Sequence, residues 1–324
     1  MRQFDRREFL LGAAAIAAVG QSACEPHAPT AHGAKEKEQS MQREERAAMD
    51  QKMPAIFLPH GGGPWPFTHD PIVGDPKMYA QMLEYMQALN MTPPVKPRAI
   101  LVVSAHWEEQ LPTVMTGQNP PMLYDYYNFP PETYEVQWPA PGAPELAGEI
   151  TELLRSSGFE FATNQKRGFD HGVFVPLKLA YPGAEIPTLQ LSLVRGLDPK
   201  EHIAIGRALA PLRRKGVFIV GSGMSYHNLR ALFTNMRAGT DRAGVKDSSK
   251  AFDEWMGESM LLEPDLRETR LVEWAKAPQA RAAHPREEHL LPLHVIAGAA
   301  EDDIATLPYR DVVMGAHISA VHFG

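Results

Sequence analysis

The sequence predicts an α/β fold: a single three-layer α/β sandwich with a central, largely parallel (mixed) sheet. Three observations carry this. Residues 55–58, 98–103 and 216–220 are short apolar runs with the length of strands buried in a parallel sheet. They alternate with longer stretches whose apolar residues recur at helical spacing. Residues 53–324 contain neither a repeat of solenoid period nor a linker-like stretch, so they read as one domain.

The elements follow in order. Residues 55–58 form the first buried strand and end at a glycine-rich turn. Residues 75–90 carry Met78, Met82, Leu83, Met86 and Leu89 at helical spacing, an amphipathic helix whose methionines face the core. Residues 98–103 are the clearest buried strand. Residues 117–144, rich in Pro, Tyr and Asn, read as a long loop, a length that usually signals function or disorder; Tyr124, Tyr126, Tyr127, Phe129 and Trp138 suit an ordered cover over a pocket. Then come a helix over 144–157, a strand over 188–193, a helix over 199–214 and a strand over 216–220. Residues 248–262 and 266–275 are helical, 287–300 has an apolar helical face, and 317–323 is a last strand.

The amino terminus stands apart. Asp5-Arg-Arg-Glu-Phe-Leu-Leu11, followed by an apolar run from Phe9 to Val19, resembles a twin-arginine export signal over residues 1–24. The run is shorter than the roughly 20 residues that span a bilayer. A buried helix with two adjacent arginines is the alternative. The single cysteine, Cys24, rules out an intrachain disulfide and is a candidate lipid anchor, although Gln21 stands where a lipidation signal usually has Leu. Cleavage after Gly20 or Ala23 without a lipid competes with it. Residues 25–52 are polar and read as a flexible tether. The expected location is periplasmic, free or as a membrane-anchored lipoprotein. By resemblance, that export route carries proteins already folded around their cofactors.

Hydrophobic residues make up 44% of the chain and charged ones 22%, with a net charge of −7. With no basic stripe, nothing points to nucleic acid.

The chemistry-bearing segments centre on histidines at strand ends or in glycine-flanked loops, where open α/β sheets build their sites. They are His60 in Pro59-His-Gly-Gly-Gly-Pro64, His106 after the strongest strand, His171 in Asp170-His-Gly172, and His227 after Gly221-Ser-Gly223. Imidazole is the commonest protein metal ligand. The His-Gly-Gly-Gly run also occurs in esterase oxyanion holes, but that reading requires a Gly-x-Ser-x-Gly elbow, and Gly223-Met-Ser-Tyr-His227 ends in His. Taken singly, His106 reads as a satisfied core group. Asp170 is either an acceptor that fixes a ring tautomer or a helix cap. His284, Glu288 and His289 either reach the site or begin a helix with an acidic first turn. His27 and His32 fall in the tether, His69 caps the glycine loop, and His202, His294, His317 and His322 read as structural.

Together, Pro59-His-Gly-Gly-Gly-Pro64, Ser104-Ala-His-Trp-Glu108, Phe169-Asp-His-Gly-Val-Phe-Val-Pro-Leu177, Gly221-Ser-Gly-Met-Ser-Tyr-His-Asn-Leu229 and His284-Pro-Arg-Glu-Glu-His289 resemble the DODA-type extradiol aromatic ring-opening dioxygenases, the class III group related to protocatechuate 4,5-dioxygenase. The resemblance runs in family order over residues 53–324. It implies a non-haem Fe(II) enzyme, or one isolated with Zn(II), that opens a catechol ring with O₂. It assigns His60, His106 and His227 as metal ligands, His171 as acid/base with a further ligand role described in some members, and His289 as a pocket residue. The carboxylate of a two-histidine, one-carboxylate iron site is not evident, and Glu288 is the only candidate in a matching motif. Two other readings remain open: a zinc hydrolase using the same histidines, and a binding protein of the same fold without turnover.

Overall fold

The computed structural model describes residues 51–68 and 77–324. The export signal, Cys24, residues 25–50 of the tether and His69 lie outside the described residues.

Eight strands form the main sheet. They are β1 (Ala55–Pro59), β2 (Ala99–Glu109), β3 (Thr113–Met115), β4 (Ala162–Asn164), β5 (Thr188–Val194), β6 (Val217–Gly223), and two late strands, β7 (Ala305–Thr306) and β10 (Val321–Phe323). Their order is β4-β3-β5-β2-β6-β1-β10-β7. The centre, β5-β2-β6-β1, is parallel, whereas β3 runs against β5, and β10 against both β1 and β7. The sheet is therefore mixed and mostly parallel, as expected. Every residue of β1, β5 and β6 is buried, which is why these segments read as continuous apolar runs.

The helices are α1 (Ala80–Ala88), α2 (Pro144–Ser156), α3 (His171–Ala180), α4 (Pro199–Leu209), α5 (Leu229–Ala238), α6 (Val245–Met260), α7 (Pro264–Val272), the single turn α8 (Ala280–Ala283) and α9 (Leu291–Ala299). They flank the sheet as the outer layers of the sandwich. α3 packs on β2 and β6 and against α1, while α9 packs on β6, β1 and β2 and against α4. α9 is buried along its whole length, so its sequence is apolar on every side apart from His294, whose ring bonds the carbonyl of Leu271 at 2.9 Å. A small two-stranded sheet pairs β8 (Arg310–Val313) with β9 (Ala316–Ser319).

Several elements differ from their sequence reading. β2 continues past Val103 to Glu109, with its pairing to β5 shifting register between Val103 and Glu108. His106 is thus inside the irregular end of a strand, and such an irregularity re-aims side chains. The helix read over 199–214 ends at Leu209 and tightens into a 3₁₀ segment, Ala210–Lys215, before Gly216 at φ 75°. The last segment is two strands, β9 and β10, rather than one.

Arg213 ties the start of β1 to the carboxyl-terminal strands. Its fully buried guanidinium donates to the carbonyls of Met53, Ala299, Ala300 and Phe323 and to Asp303 Oδ2 at 2.5 Å. A buried cation persists only with this degree of satisfaction.

Candidate active site

The parallel strands β1, β2 and β6 lie side by side and deliver three histidines at their carboxyl ends. His60 follows β1 directly, and its backbone N–H donates to Gly223 O at the end of β6, 3.1 Å away. His106 emerges from the irregular end of β2. His227 lies four residues beyond β6, where its N–H donates to Ala283 O at 3.0 Å. Two further segments complete the group. His171 opens α3, and His289 sits just before α9, its carbonyl accepting from Met224 N–H at 3.0 Å. That close passage requires glycine at position 223, since an added Cβ there would stand 2.2 Å from His289 O.

The five imidazoles converge. Nε2 of His106 lies 3.2 Å from His60 Nε2 and 3.3 Å from His289 Nε2. The ring of His171 is centred 4.0 Å from that of His106 and 5.1 Å from that of His60. His227 stacks on His289 with centroids 3.3 Å apart. One ring nitrogen from each of His60, His106 and His289 falls within a 4.8 Å cluster that could hold a metal ion, and His227, Glu288 and His289 form another such group, as do His106, Asp125 and His171.

Two carboxylates back the rings. Glu288 Oε1 is 2.9 Å from His289 Nδ1 and 3.2 Å from His227 Nδ1. Asp125 Oδ1 is 2.8 Å from His171 Nδ1, and its Oδ2 is 3.4 Å from His106 Nδ1. Burial raises both carboxyls' pKa values. The imidazole contacts outweigh it, so both end below the ordinary carboxylate range, with the His171 bond first for Asp125 and the His227 bond first for Glu288. His60, His106 and His289 are held well below the ordinary imidazole value, chiefly by burial and then by repulsion from neighbouring histidines. Neutral imidazoles with their Nδ1–H groups on carboxylates present Nε2 lone pairs, the arrangement metal-binding histidines need. His106 and His289 then face each other acceptor to acceptor at 3.3 Å, and His60 Nδ1 is buried with no hydrogen-bond partner. A cation between the Nε2 atoms resolves the first of these conflicts, so the donor set fits a metal ion.

His60, His106, His171 and His227, the histidines the sequence singled out, thus come together, and His289 joins them with its Nε2 3.3 Å from that of His106. Asp170 takes neither expected side-chain role. Its carboxylate bonds Ser104 Oγ and an Arg167 amino group, both at 2.7 Å, and makes no side-chain cap. Sequence reasoning missed Asp125, whose only local signal is an acid between two tyrosines of the long loop. That loop supplies an aromatic wall. Tyr126 stands edge-on to His171 at 6.0 Å, and Tyr124 and Phe129 pack beside it, with the Tyr126 hydroxyl donating to Thr133 O at 2.6 Å.

Comparison with known proteins agrees with this geometry. Residues 64–323 match the family described as the catalytic LigB subunit of aromatic ring-opening dioxygenase. The match takes in Asp125, Glu288 and every clustered histidine except His60, four residues before it begins. Dioxygenase tasH of Hapsidospora irregularis is 37% identical over 84% of this chain and 85% of its own. The 4,5-DOPA dioxygenase extradiol of Beta vulgaris is 44% identical over 64% of this chain and 75% of its own, and that of Escherichia coli (strain K12) 33% identical over 82% and 92%. Among solved structures, the uncharacterized protein JW3007 from Escherichia coli K12 superposes with a TM-score of 0.66 at 30% identity, covering 84% of this chain and 100% of that one. The chain belongs to the LigB family of aromatic ring-opening dioxygenases and is, with its relatives, an extradiol ring-cleaving dioxygenase.

Proposed function

We propose that this dioxygenase opens a catechol-type ring at a non-haem Fe(II) held by His60, His106 and His227, with His289 as a further ligand. The observation that carries this reading is the convergence of the His60, His106 and His289 Nε2 atoms within 3.2–3.3 Å contacts, backed by two carboxylates. Imidazole donors suit iron and zinc alike. Zinc has no redox chemistry, so the zinc-loaded form is expected to be inactive with O₂. When bound, Fe(II) would supply open positions for the two catechol oxygens and for O₂.

The chain's own residues do the rest. The aromatic wall of Tyr124, Tyr126 and Phe129 excludes water and offers ring faces to a flat substrate. His171, its Nδ1 occupied by Asp125, keeps Nε2 for the substrate side. It accepts a proton from a catechol hydroxyl and returns it later in the reaction, a task suited to imidazole near neutral pH. Since relatives carry the name 4,5-DOPA dioxygenase extradiol, a catechol bearing an amino-acid side chain is the first substrate to try.

The test is anaerobic loading with Fe(II), followed by a catechol panel that includes DOPA, read by absorbance of the semialdehyde product. Turnover by the iron form and none by the zinc form is expected. Ester or amide hydrolysis by the zinc form, with no catechol turnover by the iron form, would favour the hydrolase reading. Absence of any bound metal after gentle purification would favour a binding protein.

We further propose that residues 1–24 direct export by the twin-arginine route. Lysine at both Arg6 and Arg7 should keep the protein in the cytoplasm, and unchanged export of that variant would refute the proposal.

A further inference from the structure

We propose that Asp125 is the positioning residue of this site: its carboxylate fixes the tautomer of His171 and ties that ring to His106. The proposal rests on the reading of His171 as the acid/base.

Asp125 comes from the long aromatic loop, not from the sheet. Leu123 N–H donates to Phe169 O at 2.7 Å, and Met122 forms a bridge with Phe169, two residues before His171. The segment carrying Asp125 is thus laid along the segment that ends in His171, and their separation is set by backbone.

The carboxylate is then used in full. Oδ1 accepts from the His171 backbone N–H at 2.9 Å and lies 2.8 Å from His171 Nδ1. The backbone bond satisfies a free donor in the first turn of α3, a place where negative charge is favoured. Asp170, the residue in the capping position, makes no side-chain cap because its own oxygens are taken by Ser104 and Arg167. Asp125 supplies the missing acceptor from across the loop. With Oδ1 fixed by that backbone bond, the ring can meet it only as an Nδ1–H donor, which leaves Nε2 as the free acceptor. The other oxygen, Oδ2, faces His106 Nδ1 at 3.4 Å. One carboxylate therefore orients both a base and a ligand, whose rings stand 4.0 Å apart. A carboxylate engaged on Nδ1 atoms stands behind the rings, not among the Nε2 atoms, which makes it an outer partner and not a metal ligand.

The experiment compares wild type, Asp125→Ala and Asp125→Glu. Ring ¹H–¹⁵N NMR of the zinc-loaded protein, with the His171 signals assigned by loss in His171→Gln, reads the tautomer without any turnover. Wild type should show His171 protonated at Nδ1, and an Nε2-protonated ring would overturn the proposal. In Asp125→Ala, which removes both acceptor oxygens, the ring should leave that state. At saturating iron its kcat should fall roughly 10²–10⁴-fold, the range of a lost acid/base function, with KM changed less than about threefold. Asp125→Glu should recover part of kcat. An Ala variant that keeps both tautomer and kcat contradicts the proposal. So does one that loses all metal while His171 stays unchanged, since Asp125 would then be a ligand. If wild type turns over no catechol, the functional reading fails, and the NMR comparison still decides whether Asp125 sets the ring.

Discussion

The ring of His227 lies face to face with the ring of His289, centroids 3.3 Å apart and planes 17° from parallel. Burial, and then repulsion from His227, hold His289 well below the ordinary imidazole value, and one oxygen of Glu288 reaches Nδ1 of both rings. Glu288 thus orients both rings, with their Nδ1 atoms turned to its carboxylate. Glu288→Gln should weaken metal binding by about 10–100-fold, the usual cost of losing such an outer partner. Competition with a chromophoric chelator measures it, and unchanged affinity would remove Glu288 from the account.

Tyr126 tests the aromatic wall. Its ring stands edge-on to His171 while its hydroxyl is spent on Thr133 O. Tyr126→Phe should lose only about 1 kcal/mol of stability and leave KM near wild type. Tyr126→Ala should raise KM for catechols several-fold. Equal KM for the two variants would place the substrate elsewhere.

Gly223 tests the seam between β6 and the His289 segment. A methyl group there meets backbone at 2.2 Å, which no rotamer change relieves. Gly223→Ala should cost roughly 1–3 kcal/mol and lower metal content, because His289 must move. Chemical denaturation together with metal analysis reads both effects.

The pairing of the buried Arg213 with Asp303 predicts an acid-side loss of stability. Burial pushes the Asp303 carboxyl up, but its bonds from Lys52 and Arg213 outweigh that and hold it below the ordinary carboxylate range. Its contribution is therefore present above the unfolded value, near 3.9, and is lost as pH falls through the lower folded value. Asp303→Asn should cost roughly 2 kcal/mol at neutral pH, less than the ~3–5 of a fully enclosed pair because Asp303 keeps some exposure. The difference from wild type should shrink between about pH 5 and pH 2. A constant difference across that range would contradict the assignment.

Legibility in the sequence followed burial. β1, β5 and β6 are enclosed on both faces and could be read as apolar runs, and His60 and His227, beyond the ends of β1 and β6, could be read with them. The end of β2 could not. From Ser104 onward its residues serve the site, so polar side chains interrupt the strand pattern while the backbone still pairs. β3 and β4 have three residues each, too few for any periodicity. α5 escaped notice because Leu229 and Phe233 are exposed and Leu232 alone is buried among its residues. Glu288 was visible beside His289 as a neighbour in a motif. Asp125 was not, because the bridge between Met122 and Phe169 brings it to His171 across a sequence separation of 46, and no local spacing encodes that contact.

The central claim is that the imidazole nest serves O₂-dependent ring opening. An oxygen electrode measurement on the Fe(II)-loaded chain, with a limiting catechol it accepts, tests this most directly. One O₂ consumed per catechol, with no consumption by the zinc-loaded form, is the predicted result. A fully iron-loaded protein that consumes no O₂ with any catechol would contradict it.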